Sequence, residues 1–285
     1  MNTLKLYSPA KINLTLEILN KRQDNFHNII SLVTDISLKD EIVFSSSKSV
    51  TFDSNFALDQ KSNSILNTIS LIKKKFKLDN GIDVKLIKNI PLASGLGGGS
   101  SNAATTLIAL NDIWQLNLNK TEMMLIGSEI GSDVPYFLEK GLCVINDRGE
   151  NVRKIKESPL MWFVLLFSEH KHKNKTKHMY ESLTLDTFTN GGLTRKLEAR
   201  LRNNSDLPNE LMFNGFNNIA DKIFPELSEK RKVFNTLVGE ETVLCGAGPT
   251  LFYRAPNKET ATAINLLLNM KNGLDSIVVN SGKIE

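Results

Sequence analysis

The sequence predicts an α+β fold in two lobes. Strand-period alternation fills the first third of the chain, helical periodicity replaces it over residues 62–76, and the two then keep exchanging. They do so without the strict βαβ repetition of a doubly wound sheet. No internal repeat or low-complexity tract interrupts the pattern.

The elements follow in order. Leu4 to Tyr7 and Ile12 to Ile18 alternate apolar and polar residues, as do Ile29 to Ile36 and Glu41 to Phe44, and each reads as a half-buried strand. Ser45 to Asn55 reads as a polar turn region. From Ser62 to Phe76, Ile65, Leu66, Ile69 and Ile72 recur at helical spacing, with a lysine run on the far side. Ile82 to Ile87 returns to strand alternation. A glycine-rich loop follows, and a helix is expected from Ser100 or Ser101 with Ala103, Ala104, Leu107 and Ile108 on its apolar face. Thr121 and Glu122 open a second helix towards Ile130. Beyond Ser158 come a short buried strand, a basic segment at 170–178, and a loop at Asn190-Gly191-Gly192. A helix over Phe216 to Phe234, strands at 242–244 and 251–253, a helix over 258–270 and a strand at 276–279 complete the chain.

Composition narrows the class. In 285 residues, Lys plus Arg number 35 and Asp plus Glu 31, a mild and scattered excess. It fits an enzyme handling phosphates, and equally an ordinary solvated surface. No basic stripe interleaved with aromatics suggests nucleic-acid binding. Cys143 and Cys245 lie far apart without a CxxC pattern, so neither a disulfide framework nor a zinc site is expected. No signal peptide is visible, and the longest apolar stretch, Leu160 to Phe167, is far short of a membrane span. A cytoplasmic protein without membrane contact is the expectation.

The most informative stretch is Pro91, Leu92, Ala93, Ser94, Gly95, Leu96, Gly97, Gly98, Gly99, Ser100 and Ser101, running into Asn102-Ala103-Ala104. Glycines let backbone amides converge on a bulky anion. A helix starting directly afterwards adds unpaired amides and the positive end of its dipole. The serine hydroxyls suit phosphate or a phosphate-bound Mg²⁺. The loop is neither a Walker loop, since no Lys follows the glycines, nor a Rossmann fingerprint with its downstream ribose acid. On spacing alone, a glycine turn capping a helix explains it as well as a nucleotide polyphosphate does. Lys11, in Pro9-Ala10-Lys11-Ile12-Asn13-Leu14, reads alone as a surface lysine or a cleft lysine. Asp133, in Gly131-Ser132-Asp133-Val134-Pro135, reads alone as a capping or turn aspartate, or as a base.

Taken together, these three segments resemble the GHMP kinase superfamily, whose phosphate loop the triple-glycine stretch is similar to. The resemblance is dense over 8–40 and 82–150 and thinner afterwards. It implies a ribosomal protein S5 domain 2-like N-terminal lobe over 1–157, with the phosphate loop, and a ferredoxin-like C-terminal lobe over 158–285. It implies ATP as cofactor, with Mg²⁺ carried by the nucleotide and no resident metal. Asp133 would be the general base, and Lys11 would hold it ionised and stabilise developing charge. Asn63 and Lys88 would fall at adenine-site positions.

Phe26 and His27, in Arg22-Gln23-Asp24-Asn25-Phe26-His27, resemble the segment with which one branch recognises cytosine. Asn25 stands where Gly is usual, and Phe26 where Tyr is. Asn13, Thr176 and Tyr180 would contact substrate, Tyr180 closing on the base opposite Phe26. Gly246 and Gly248 resemble a C-terminal glycine loop near the substrate phosphates, from which Cys245 and Pro249 depart. For Asn217 only a structural role is expected. His170, His172 and His178, interleaved with lysines, read as a solvated basic loop rather than a metal site. The implied reaction phosphorylates the 2-hydroxyl of 4-diphosphocytidyl-2-C-methyl-D-erythritol. The partner is thus a small molecule with a cytidine diphosphate group, and the enzyme a monomer or homodimer. The alternatives are a GHMP kinase for homoserine, mevalonate or a sugar, and a non-catalytic binder of the same fold.

Overall fold

The computed structural model describes residues 3–57, 59, 62–168, 175–203 and 205–282. The chain forms two packing units: Met1–Ala10 with Leu38–Leu92 and Gly97–Lys140, and Lys11–Ser37 with Ala93–Leu96 and Gly141–Glu285. Because the two longest strands contribute to both, the units are discontinuous in sequence.

In the first unit, residues 3–10 of β1 (Thr3–Lys21) and 38–47 of β2 (His27–Ser47) join β3 (Val50–Ser54), α1 (Ser64–Phe76) and β4 (Gly81–Ile87). The helices α2 (Gly98–Ile113), α3 (Lys120–Ile130) and α4 (Val134–Glu139) complete it. Strand order is β3-β4-β2-β1. β4 runs antiparallel to β2 from Glu41↔Ile87 to Ser47↔Gly81 and parallel to β3. The two-residue period puts Ile42 and Phe44 of β2 on the same face as Val84 and Leu86 of β4. That face packs with Ile65, Ile69 and Ile72 of α1 and Leu107 and Leu110 of α2 in one buried cluster. Asn63 caps α1, its Oδ1 accepting from the amides of Ile65 and Leu66, and Lys73 to Lys75 sit in the last turn, where they complement the helix dipole.

β3 falls where a polar turn was expected. Its side chains alternate Val50, Thr51, Phe52, Asp53 with little burial, so it is an edge strand held mainly by its ladder to β4. α4 is likewise a helix the pattern did not announce, only six residues long and opened by Pro135.

The second unit contains β5 (Leu142–Asp147), β6 (Asn151–Lys156), β7 (Met161–Leu166), α5 (Lys175–Glu181), α6 (Gly192–Arg202) and β8 (Phe213–Asn214). It continues with α7 (Asn217–Ile223), α8 (Pro225–Val238), β9 (Val243–Leu244), β10 (Leu251–Ala255), α9 (Lys258–Leu266) and β11 (Ser276–Ser281). One sheet runs β11-β7-β10-β9. Its strand β7 pairs antiparallel on both sides, and every side chain of its apolar run from Phe163 to Leu166 is buried. Residues 29–33 of β2 pair with β5, β5 with β6, and Thr15 of β1 with Phe213 of β8 in parallel.

Three local expectations are corrected. The helix expected over 216–234 breaks at Phe224–Pro225 into α7 and α8, because Pro225 has no amide to continue the ladder. The glycines at 191–192 begin α6 rather than a loop. Its start lacks a side-chain cap of its own, and the amide of Thr194 instead donates to the buried carboxylate of Glu17 at 2.7 Å. The segment 142–156, passed over in the sequence, is the β5–β6 hairpin. Among the described residues no helix is long and apolar enough to cross a membrane.

Phe44 is fully buried at the centre of the first unit's cluster. Phe44→Ala is expected to cost about 3–5 kcal/mol, measured as the change in urea unfolding free energy. A change below about 1 kcal/mol would mean the cluster collapses around the gap.

Candidate active site

In the first unit the glycine loop runs into α2. Gly97 adopts φ 74°, and the amide of Ser101 makes the first intrahelical bond, to Gly97 O at 2.9 Å. No side chain caps this helix. The amides of Gly98, Gly99 and Ser100 therefore precede the helical ladder, the arrangement that receives anionic oxygens. A Cβ on Gly98 would lie 3.1 Å from Lys88 Nζ and 3.0 Å from Ile90 Cγ2, whereas Gly99 is exposed and its nearest neighbour, Ser64 Oγ, is 3.8 Å away. Ser101 is turned inward: with Asn102 it receives the Ser8 hydroxyl, at 2.7 and 2.8 Å, in a fully buried group. Of the two serines, Ser100 is the one partly open to solvent.

Lys88 is committed to bracing. Its ammonium donates to Asp40 Oδ2 at 2.7 Å and to Ile90 O at 2.6 Å, while Asp40 Oδ1 accepts from the amides of Asn89 and Ile90. Burial pushes the Lys88 ammonium below its ordinary value, and Asp40 beside it acts in the opposite direction. The ion pair thus fixes the strand end that leads into the loop. Asn63 is different. Its oxygen is spent on α1, yet its buried Nδ2 has no hydrogen-bond partner among the described residues. An amide donor of that kind fits an acceptor atom of a ligand.

Asp133 precedes α4, half-buried, and its side chain makes no capping bond to that helix. The capping role left open by the sequence is therefore not the one it plays. Helix α4 behind it is anchored by the buried residues Val134 to Phe137, which fixes the backbone that carries the carboxylate.

Other residues singled out in the sequence lie in the second unit. Lys11 and Asn13 are buried on β1, and the chain at Lys11 N donates to Leu96 O at 3.0 Å. Lys11 Nζ donates to Asn13 Oδ1 at 2.6 Å, and Asn13 Nδ2 to Ser31 Oγ at 2.8 Å. Ser31 in turn donates to the Thr15 carbonyl. The relay leaves Asn13 with one possible orientation, and Asn13 orients the ammonium of Lys11.

Residues 93–96 lie directly on the turn that follows β9. Gly95 has φ 87°, and a Cβ there would stand 2.0 Å from Cys245 O. Gly246 has φ 52°, and a Cβ there would meet Gly95 O at 2.8 Å and Lys11 Nζ at 3.3 Å. Only glycine permits both. Asn214, which no sequence signal singled out, donates to Leu244 O at 2.7 Å and Gly246 O at 2.8 Å and so shapes the turn. Asn217 accepts from Leu244 N at 3.0 Å, a structural role as expected. The Gly248–Pro249 bond is cis.

The aromatic residues divide. Asn25 has φ 66°, the conformation for which Asn substitutes for Gly, and Asp24 accepts from Phe26 N at 3.1 Å. This turn presents Phe26 half-exposed, with the Arg148 guanidinium 5.0 Å from its ring. His27 is buried and stacks on Tyr180 at 5.2 Å, and Tyr180 meets Phe216 edge-on at 4.9 Å. Burial, with Lys21 adding to it, lowers the His27 pKa, so the imidazole is neutral near pH 7 and offers one donor and one acceptor. Thr176 and His178 are exposed on α5; His170 and His172 lie outside the described residues. Pro91, Leu92 and Ala93 are exposed at the loop entrance, while Ser94 and Leu96 are buried.

The chain is similar to known proteins along nearly its whole length. The model of the GHMP kinases N terminal domain matches residues 63–141. A 4-diphosphocytidyl-2-C-methyl-D-erythritol kinase from Dehalococcoides mccartyi is 36% identical over 284 residues, 99% of this chain and 100% of that one. One from Thermodesulfovibrio yellowstonii is 33% identical, covering 88% and 90%. Among solved structures, a 4-(cytidine 5'-diphospho)-2C-methyl-D-erythritol kinase superposes with a TM-score of 0.82 at 24% identity, covering 98% and 100%. The homoserine kinase of Cytophaga hutchinsonii does so at 0.75 and 17%, covering 99% and 95%, a likeness of fold. The α+β architecture is therefore the two-lobed GHMP kinase fold.

Gly95→Ala is expected to destabilise the protein by about 2–4 kcal/mol, from a left-handed backbone and a main-chain clash together. Gly99→Ala, with room for its methyl, should leave the unfolding midpoint nearly unchanged. Equal behaviour of the two in thermal unfolding would contradict the loop-on-turn contact.

Proposed function

The chain belongs to the 4-diphosphocytidyl-2-C-methyl-D-erythritol kinases of the GHMP group, and from that membership we propose the roles of its residues in phosphoryl transfer. The reaction moves the γ-phosphoryl group of ATP to the 2-hydroxyl of 4-diphosphocytidyl-2-C-methyl-D-erythritol, a step towards isoprenoid precursors. What carries this reading is the end-to-end likeness to kinases of that substrate.

Phosphoryl transfer asks a protein for alignment and charge neutralisation more than for covalent chemistry. The Gly97–Ser100 amides would hold the nucleotide phosphates, and Asn63 Nδ2 a nitrogen or oxygen acceptor of the nucleotide. Mg²⁺ brought in with ATP would screen the phosphate oxygens. Asp133 would take the proton from the acceptor hydroxyl, on a backbone held by the buried residues of α4. Lys11, held by Asn13, offsets negative charge as it develops on the transferred group. Phe26 offers its ring to the cytosine, stiffened from behind by Arg148. Neutral His27, held against Tyr180, reads the base's polar edge. Gly246 and Gly248 bring main chain close to the acceptor phosphates. An aromatic and imidazole group of this kind has no counterpart to recognise in homoserine or mevalonate.

The test is ADP release by the purified chain with ATP and Mg²⁺, offered the cytidylyl substrate, mevalonate and homoserine in parallel. Turnover with the cytidylyl compound alone is expected; turnover with another acceptor would discard the cytosine assignment. Asp133→Asn should lower kcat by about two to four orders of magnitude with ATP affinity retained. Near-normal turnover would move the base elsewhere. Phe26→Ala should raise the acceptor KM by about tenfold or more, the worth of one base–aromatic stack, while KM for ATP holds. Equal loss for both ligands would indicate a folding defect.

A further inference from the structure

Lys175 opens α5 with only 8% of its surface exposed. Its ammonium donates to the carbonyl of Ala93, at the entrance of the phosphate loop, and to that of Gly248, in the turn after β9. One side chain thus ties the two lengths of main chain that Gly95 and Gly246 already bring into contact.

The electrostatics are one-sided. Among the described residues the hydrogen bonds of the Lys175 ammonium go to carbonyls, and no carboxylate acts on it. The titratable groups that face it are Lys11 from β1 and Cys245 from the turn. The Cys245 thiol is fully buried and pushed up to about 12, so it stays neutral and brings no counter-charge. Burial first, and Lys11 second, push the Lys175 ammonium down to about 8. Carbonyl dipoles solvate a buried cation but do not neutralise it. A positive charge kept in such a place is matched when an anionic ligand arrives.

We propose that Lys175 is a positioning residue for the acceptor's phosphates: it fixes the spacing of the two loops and holds beside them a positive charge that the bound diphosphate neutralises. This rests on the kinase reading above. It follows that the anion prefers the protonated form. A lysine without ligand loses its proton through the range near pH 8, and above it anion affinity falls about tenfold per pH unit. The neutral amine still donates hydrogen bonds, so loop spacing persists while the charge is lost.

Steady-state kinetics from pH 6.5 to 9.5 on the wild type, Lys175→Gln and Lys175→Arg separate the charge from a mere tie. For the wild type, acceptor KM should rise above pH 8 while KM for ATP stays level. Lys175→Gln, folded by circular dichroism, should raise acceptor KM about 10- to 100-fold at pH 7, the worth of a charged hydrogen bond, and abolish the alkaline rise. Lys175→Arg should recover much of the affinity and move the rise to higher pH, because guanidinium stays protonated. An alkaline rise in Lys175→Gln equal to that of the wild type would overturn the proposal, as would a loss confined to kcat. If Lys175→Gln does not fold, the shift in Lys175→Arg decides, and an unshifted profile overturns it. If the wild type releases no ADP, the kinase reading falls. Calorimetric titration of the same proteins with CDP then tests Lys175 alone: weaker, pH-independent binding in Lys175→Gln supports it, and unchanged binding overturns it.

Discussion

Two lengths of main chain in the second unit lie against each other with no side chain between them, and Lys11, Asn214 and Lys175 are all arranged around that contact. Gly95 leaves no room for a β-carbon below Cys245 O, and Gly246 leaves none below Gly95 O. Thr250 N reaches back to Ser94 O, and Gly248 N closes the turn on Cys245 O. Close backbone approach of this kind uses the amides themselves as the reading surface, which suits phosphates better than long side chains would. The rigidity comes from outside the glycines: Asn214 grips the turn from β8 and Lys175 from α5.

The two lysines that border loop segments illustrate different solutions to burying charge. Lys88 sits against Asp40, an ion pair whose remaining hydrogen-bond capacity is used on the loop's own backbone. Its energetic worth lies in not being broken, since removing one partner strands the other. Lys175 has carbonyls in place of a carboxylate. The first arrangement is complete in itself and builds structure. The second is completed by what binds.

How much of this was legible in the sequence follows from the distance over which each feature is decided. The glycine loop, the helix after it, and the positive-φ turn at Asn25 are written in adjacent residues, and their local chemistry suffices to read them. Asp133 was placed correctly between a helix end and a proline, but that its carboxylate is not a cap needed coordinates. Helix α6 was missed because its N-terminal acceptor, Glu17, lies 177 residues from Thr194. Lys175 carries no local signal of its role, because the carbonyls that define it are 82 and 73 residues away. The edge strand β3 escaped notice since its stability is in ladder bonds, which leave no hydrophobic signature. The break at Pro225, by contrast, is written in one residue, against helical periodicity on either side of it.

Cys245 lies inside the loop-on-turn contact, fully buried, its thiol held neutral by its surroundings. A neutral, enclosed thiol does not react with alkylating reagents, because thiolate and access are both withheld. Labelling at this position must then wait for the two main-chain segments to separate. The rate of that labelling is a clock for the separation, and its slowing by a bound ligand would measure, in hours and minutes rather than in turnover, how firmly the ligand holds the segments shut.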